Sequence, residues 1–180
     1  MTARPLTQNE IALAQKIFGH ALDYKRIKIH RKSLLPFLPQ NTAMAPNHHI
    51  YMPGRLYCPD YALSPPHLQA LFIHEMAHVW QHQNKVLHVF GSFLKETVKH
   101  KFNYAAAYDY TLKQNRDLTH YGLEQQARII EDYFLLTEFA YNRCGFALCD
   151  YEAVLKNFLA NPAYCKRKSY FKSSPLRKKK

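Results

Sequence analysis

What these 180 residues lack is the first guide to them. There is no run of 18 apolar residues, so no membrane-spanning helix is expected. The opening stretch, MTARPLTQNEIALAQ, has no apolar segment followed by a small-residue cleavage site, so no secretory signal peptide is expected and export would need another route. Glycine is scarce, at 5 residues, and no segment repeats, which argues against a repeat architecture. The four cysteines, Cys58, Cys144, Cys149 and Cys165, form no C-x-x-C pair, so a zinc ribbon is not expected. Cys144 and Cys149 flank a turn at Gly145 and could bridge in an oxidising compartment; ordinary thiols fit equally well. Acids are also few, 13 against 25 Lys and Arg.

The resulting net charge of +12 is unevenly spread. Residues 166–180, KRKSYFKSSPLRKKK, hold 8 of the basic residues and no acid, leaving +4 for the rest. The expected organisation is therefore one domain over residues 1–165 and a basic, disordered, solvated tail over 166–180. A binding arm for nucleic acid, an anionic membrane or an acidic partner is the alternative for the tail. Apolar residues at 47% and aromatics at 14% supply a substantial core and exclude a disordered chain.

The pattern along the chain predicts an α+β fold. Thr7 and Glu10 form a capping box before a helix over roughly 8–22. Residues 24–30, YKRIKIH, alternate as a half-exposed strand; HHIYM reads as a second strand, and RLYCPDY, after the Pro53-Gly54 turn, as a third. A helix over about 65–84 follows, with Ser64 as its cap and Pro65 in the first helical position. A mixed aromatic stretch, VFGSFLKETVKHKFNYAAAYDYTL, leads to the polar turn KQNRD. A long helix is predicted over about 122–142, with Leu123, Ala127, Ile130 and Phe134 at core spacing. Asp150 caps a last helix, YEAVLKNFLA. The expectation is a small antiparallel sheet packed on the two core helices, 65–84 and 122–142.

The helix at 65–84 carries His74-Glu75-Met76-Ala77-His78. With 11 His and 7 Glu in the chain, random placement would yield an H-E-x-x-H somewhere with a probability of roughly 3 per cent, so context must decide. Leu68, Leu71, Phe72, Ile73, Met76, Ala77, Val79 and Trp80 cover nearly every side, which predicts a buried helix. A buried, unpartnered carboxylate is costly, and a bound cation would offset that cost. His74 and His78, at i and i+4, project from one face and can bind one Zn²⁺. Glu75 points about 100° away, beside the ion, where a general base for hydrolysis belongs.

A catalytic zinc site needs a third protein ligand and an open position. His82 lies about 12 Å along the axis from His74, too far to share an ion. Ten residues after His74 stands Asn84, so the three-histidine spacing of other zincins is absent. A carboxylate on the second core helix, Glu124 or Glu131, or a more distant His88, His100 or His120 remains; periodicity favours Glu124 over Glu131 only modestly. Candidate donors for stabilising a developing oxyanion are His120 and Tyr110, from a set that includes His49, Tyr51, Tyr108 and Tyr121.

Taken together, IYMPGRLYCPDY, FIHEMAHVWQHQ and LEQQARIIEDYF resemble the zinc metallopeptidase domain linked to bacterial type VI secretion, found fused to VgrG-type spike proteins or as a separate effector. The resemblance covers roughly residues 5–140. It implies a zincin-like fold, a Zn²⁺ held by His74, His78 and Glu124, and Glu75 as the catalytic base. It also implies a peptide or protein substrate, an antibacterial toxin made in the cytoplasm and acting in a target cell's periplasm, a VgrG- or PAAR-type spike partner, and a cognate immunity protein. The sequence contains no spike region, so a stand-alone effector is expected. In a related class of zincin an Asp four residues after the ligand Glu supports a zinc histidine. Here that position is Arg128, so support must come from elsewhere. Two rival readings compete. One is a protease similar to SprT-like enzymes, which act on DNA-attached proteins; there His88 or His100 would be the third ligand and the tail would hold DNA. The other is a non-catalytic basic module that keeps zinc for structure.

Overall fold

The computed structural model describes residues 3–37, 39, 41–86, 108–113 and 115–165. Thr7 caps helix α1 (Gln8–Phe18): its hydroxyl accepts from Glu10 N–H while the Glu10 carboxylate accepts from Thr7 N–H, the reciprocal box expected from the sequence. The helix stops at Gly19 rather than near residue 22. Gly19 takes φ 50, a turn conformation that ends the helix with its N–H on Gln15 O.

Glu10 does more than cap. It is fully buried and accepts from both Arg4 terminal nitrogens, at 2.7 and 2.8 Å, and from Tyr61 N–H at 3.0 Å. One carboxylate thus joins strand β1 (Arg4–Pro5), α1 and the segment leading into the next helix.

The sheet departs from expectation in three ways. It is mixed, not antiparallel: β1 pairs antiparallel with β2 (Lys28–His30), and β2 pairs parallel with β3 (His49–Tyr51). The long connection after His30 lets the chain re-enter in the same direction, as parallel pairing requires. Residues 24–26 form a 3₁₀ turn, so the expected strand over 24–30 shrinks to its last three residues. RLYCPDY is not a strand. The Tyr61 hydroxyl accepts from Cys58 N–H and donates to Leu56 O, and Arg4 takes Cys58 O, so the backbone groups a ladder would use are already bonded. Short 3₁₀ turns, Gly54–Leu56 and Tyr61–Leu63, stand there instead, and the third strand is the N-terminal β1.

Helix α2 (Pro66–Gln83) begins one residue later than predicted, with Pro65 at the cap and Pro66 in the first turn; the Ser64 hydroxyl instead donates to Asp60 O. Every residue from Phe72 through Gln81 is buried. Its apolar members, among them Phe72, Ile73, Met76, Val79 and Trp80, are each worth about 1.5–3 kcal/mol of burial if large, which outweighs the polar residues between them. Helix α3 (Leu123–Phe139) makes the most extensive contact with α2, and its Ala127, Ile130 and Phe134 are buried in the core as expected; Leu123 is only partly buried. Gln125 accepts from Gly122 N–H at its start, and Ala140, at φ 52, ends it near 139 rather than 142. Helix α4 (Leu148–Ala160) begins before Asp150, whose carboxylate sits in the first turn and accepts from Ala147 N–H. Trp80 pins α4 to α2: its ring meets Phe158 edge-on at 5.0 Å and its N–H donates to Pro162 O at 2.7 Å.

The described residues therefore form four helices and one three-stranded mixed sheet, an α+β architecture. No helix among them is long and apolar enough to cross a membrane. The four cysteines are free thiols, Cys144 and Cys149 both exposed. His88, His100, most of the mixed aromatic stretch and the basic tail over 166–180 lie outside the described residues.

Candidate metal centre

The i, i+4 spacing on α2 brings the two imidazoles together, and the packing of α3 across α2 brings a carboxylate to them. His74 Nε2 and His78 Nε2 are 3.2 Å apart, and Glu124 Oε2 lies 3.4 Å from the first and 3.3 Å from the second. Three ligands placed around one Zn²⁺ at about 2.0–2.1 Å with tetrahedral angles would be separated by about 3.3–3.4 Å. The three atoms already stand at that spacing. Among the described residues, His74, His78 and Glu124 are the group able to hold a metal ion.

Two orphaned atoms strengthen the fit. Glu124 Oε2 is buried and forms no hydrogen bond, although it faces both Nε2 atoms; Glu75 Oε2, next to His74 in sequence on α2, is likewise buried and unbonded. Buried carboxylate oxygens without partners are costly, and a cation between the three helix residues would satisfy the first of them.

The outer nitrogens of both rings are engaged. His74 Nδ1 is 3.1 Å from Glu131 Oε2, and an ionised carboxylate can only accept, so Nδ1 carries a proton and Nε2 is the nitrogen whose lone pair the neutral ring turns inward. His78 Nδ1 is 2.9 Å from Gln81 Oε1. Glu131 is thus on the far side of His74 from Glu124, where it supports the ring rather than competing to be the ligand. Arg128 and Arg143 both pair with Glu131 at 3.1–3.3 Å, and Arg143 also binds Asp132. Arg128, which occupies the place of the missing Asp, therefore acts through its neighbour.

Charge follows from this geometry. Burial pulls the His74 pKa down, but the carboxylates of Glu124 and Glu131 more than reverse it and raise it to about 10. Burial likewise opposes, and Glu124 raises, the pKa of His78. Glu124, despite a burial cost, is held far below the usual carboxylate range by His78 and His74. Glu75 is pushed up, chiefly by burial, with the two imidazoles opposing. Without an ion, the pocket fills with protons on imidazole; it is built to hold positive charge.

The remaining candidates are placed elsewhere. Tyr110 donates to Asp132 at 2.7 Å and meets the Tyr151 hydroxyl at 2.8 Å, so its hydroxyl is committed to that buried cluster. His120 is exposed on the 3₁₀ turn Leu118–His120, its carbonyl bonded by Arg116. Among the described residues an aromatic ring beside the site is that of Tyr108, 5.9 Å from the His74 ring. His82 stands edge-on to His48 at 5.0 Å. His49 and Tyr51 both lie against His30, at ring separations of 5.0 and 4.4 Å. The Tyr121 hydroxyl is bonded to Thr111 O and Lys113 N. Sequence reasoning did not single out Gln81, Asp132 or Arg143; Gln81, at i+3 from His78 on a buried helix, carried the only available signal.

No family model matches the chain. It is 36% identical over 159 residues to the type VI secretion system spike protein VgrG2b of Pseudomonas aeruginosa, an alignment that takes in 86% of this chain and 15% of the spike protein. It also superposes on the solved effector domain of Pseudomonas aeruginosa VgrG2b with a TM-score of 0.66 and 31% identity, covering 88% of this chain and 83% of that one. The chain belongs to the VgrG2b effector-domain family. The kinship with a VgrG-linked type VI secretion effector domain expected from the three sequence strings therefore holds, and it covers 86–88% of the chain, more than residues 5–140. The VgrG2b effector domain shares the fold that carries α2 and α3, while this chain spans about 15% of the length of the full VgrG2b spike protein.

Proposed function

We propose that this chain is a zinc-dependent peptidase of zincin-like fold that acts as a type VI secretion effector. The observation that carries the reading is the buried triangle of His74 Nε2, His78 Nε2 and Glu124 Oε2 with Glu75 beside it. When bound, Zn²⁺ would supply Lewis-acid polarisation of a peptide carbonyl and acidify water. The residues supply the rest. His74, His78 and Glu124 would hold the ion, and Glu131 would orient His74. Glu75 would take the proton of the attacking water as hydroxide adds to the carbonyl carbon. It would then deliver that proton to the amine as the C–N bond breaks. Burial raises its pKa, which favours the protonated form that the second half of the step requires. Kinship with the VgrG2b effector domain supports delivery by a type VI secretion spike; to this we add, as part of the proposal, a VgrG- or PAAR-type carrier, action in a target cell's periplasm and an immunity protein that protects the producer.

The direct test is metal content. Purified protein should carry about one equivalent of zinc, as a single three-ligand site implies. Glu124→Ala should lose it. Retention of full zinc by Glu124→Ala, with loss from His88→Ala or His100→Ala, would move the third ligand to a histidine and favour the SprT-like reading.

A further inference from the structure

We propose that Gln81 is a positioning residue for the metal centre, setting the tautomer and ring orientation of His78 by accepting from its Nδ1–H. The inference rests on the metal-binding reading above.

Gln81 is buried, three residues after His78 on α2. Its amide has two distinguishable ends, and the surroundings decide which faces the histidine. The Nε2 end meets Leu123 O at 2.8 Å and Gln126 Oε1 at 3.1 Å. A carbonyl can only accept, so the NH₂ group must point there. Gln126, itself fully buried, is held the same way: its Nε2 donates to Tyr121 O at 2.8 Å, which turns its oxygen toward Gln81. The chain of bonds has one consistent direction, and it leaves Gln81 Oε1 at 2.9 Å from His78 Nδ1. His78 must then donate from Nδ1, so when the ring gives up one proton to take a metal ion it is Nε2, the atom in the triangle with His74 and Glu124, that is left with the lone pair. An inverted amide would demand the other tautomer, whose Nε2–H would block the ion.

The same amide reaches the start of α3. Leu123, whose carbonyl Gln81 holds, immediately precedes Glu124. Gln81 therefore bridges the helix of the two histidines and the first turn of the helix that carries the third ligand. His74 has an ionised carboxylate behind it; His78 has a neutral amide, which orients its ring without adding another negative charge to the pocket.

The test is a Zn²⁺ competition titration of the full chain against a chromophoric chelator, with circular dichroism confirming folding. Gln81→Met removes the acceptor and should weaken zinc about 10–100-fold, the usual cost of losing a partner behind a metal histidine. Gln81→Glu keeps an acceptor, whichever oxygen faces His78, and should stay within about threefold of the parent affinity on the same scale. It should nonetheless melt at a lower temperature, because it faces Leu123 O and Gln126 Oε1. A purely structural glutamine would give the opposite order, with Gln81→Glu the worse. Parent-like affinity in Gln81→Met, or equal losses in both variants, overturns the proposal while leaving the metal centre intact. Failure of the unsubstituted protein to bind zinc overturns both readings.

Discussion

Glu75 and Glu124 are the same side chain in one buried pocket, yet their proton affinities move in opposite directions. Glu124 Oε2 stands within 3.4 Å of two imidazole nitrogens, which lower its proton affinity, whereas at Glu75 burial outweighs the same two rings. Environment alone separates the proposed ligand from the proposed base. Glu75→Gln should therefore keep about one equivalent of zinc and the parent melting temperature, while peptidase turnover falls about 10²–10⁴-fold. Parent-like turnover in that variant would remove Glu75 from the mechanism. The imidazoles make a second prediction. His74 is raised from 6.5 to about 10 in the folded, metal-free protein, so its contribution to stability is complete below pH 6.5 and is lost as pH climbs toward 10. Glu75, also raised, loses its contribution as pH rises from its unfolded value of 4.5, whereas the lowered Glu124 and Glu131 weaken the fold only in acid, below that same value. The chelator-treated protein should thus melt at progressively lower temperature from pH 6.5 to 10, while zinc affinity rises over the same interval because the ion displaces a proton. Melting curves with and without zinc at several pH values check both slopes; a flat metal-free series contradicts a protonated His74.

At the scale of elements, the site depends on how α2 is held at each end. Its far end is fixed by Trp80 against Phe158 and Pro162, and its near end by the Glu10 carboxylate, which ties β1 and α1 to Tyr61 just before the helix begins. Glu10 accepts four bonds and sits away from the metal ligands. Removing it leaves Arg4 and two backbone N–H groups without their partner. Glu10→Ala should cost about 3–5 kcal/mol in urea denaturation, yet the folded fraction should still bind one equivalent of zinc. A cost below about 1 kcal/mol, the range of an exposed pair, would show that the network is not the clamp described.

For the whole molecule, the question is where the chemistry takes place. The proposed place is another cell's periplasm, reached by the type VI route that kinship with the VgrG2b effector domain suggests. Zn²⁺ has no redox chemistry, and no cysteine is among the proposed ligands, so an oxidising compartment leaves the site intact. Expression in the cytosol of a Gram-negative host should be harmless, whereas the same chain behind an added signal peptide should arrest growth and alter cell shape. The effect should vanish with Glu75→Gln. Toxicity confined to the cytosol would point instead to an intracellular target, with the basic residues over 166–180 as its reach.

Periodicity and capping chemistry are local, and what they govern was legible in the sequence: the box that starts α1, the buried character of α2, the pairing of His74 with His78 one turn apart, and the core stripe of α3 at Ala127, Ile130 and Phe134. A helical period reports which face a residue occupies, not which atoms meet it there. Glu124 and Glu131 share a face of α3, and only the packing of α3 across α2 sets the first at the two Nε2 atoms and the second behind His74. Tertiary structure likewise decided that Gln81 stands behind His78, that the Tyr110 hydroxyl is spent on Asp132 and Tyr151, and that the Tyr61 hydroxyl takes the bonds a third strand would have used. The parallel register of β2 and β3 belongs with these, because it follows from where a long connection returns rather than from the alternation of either strand.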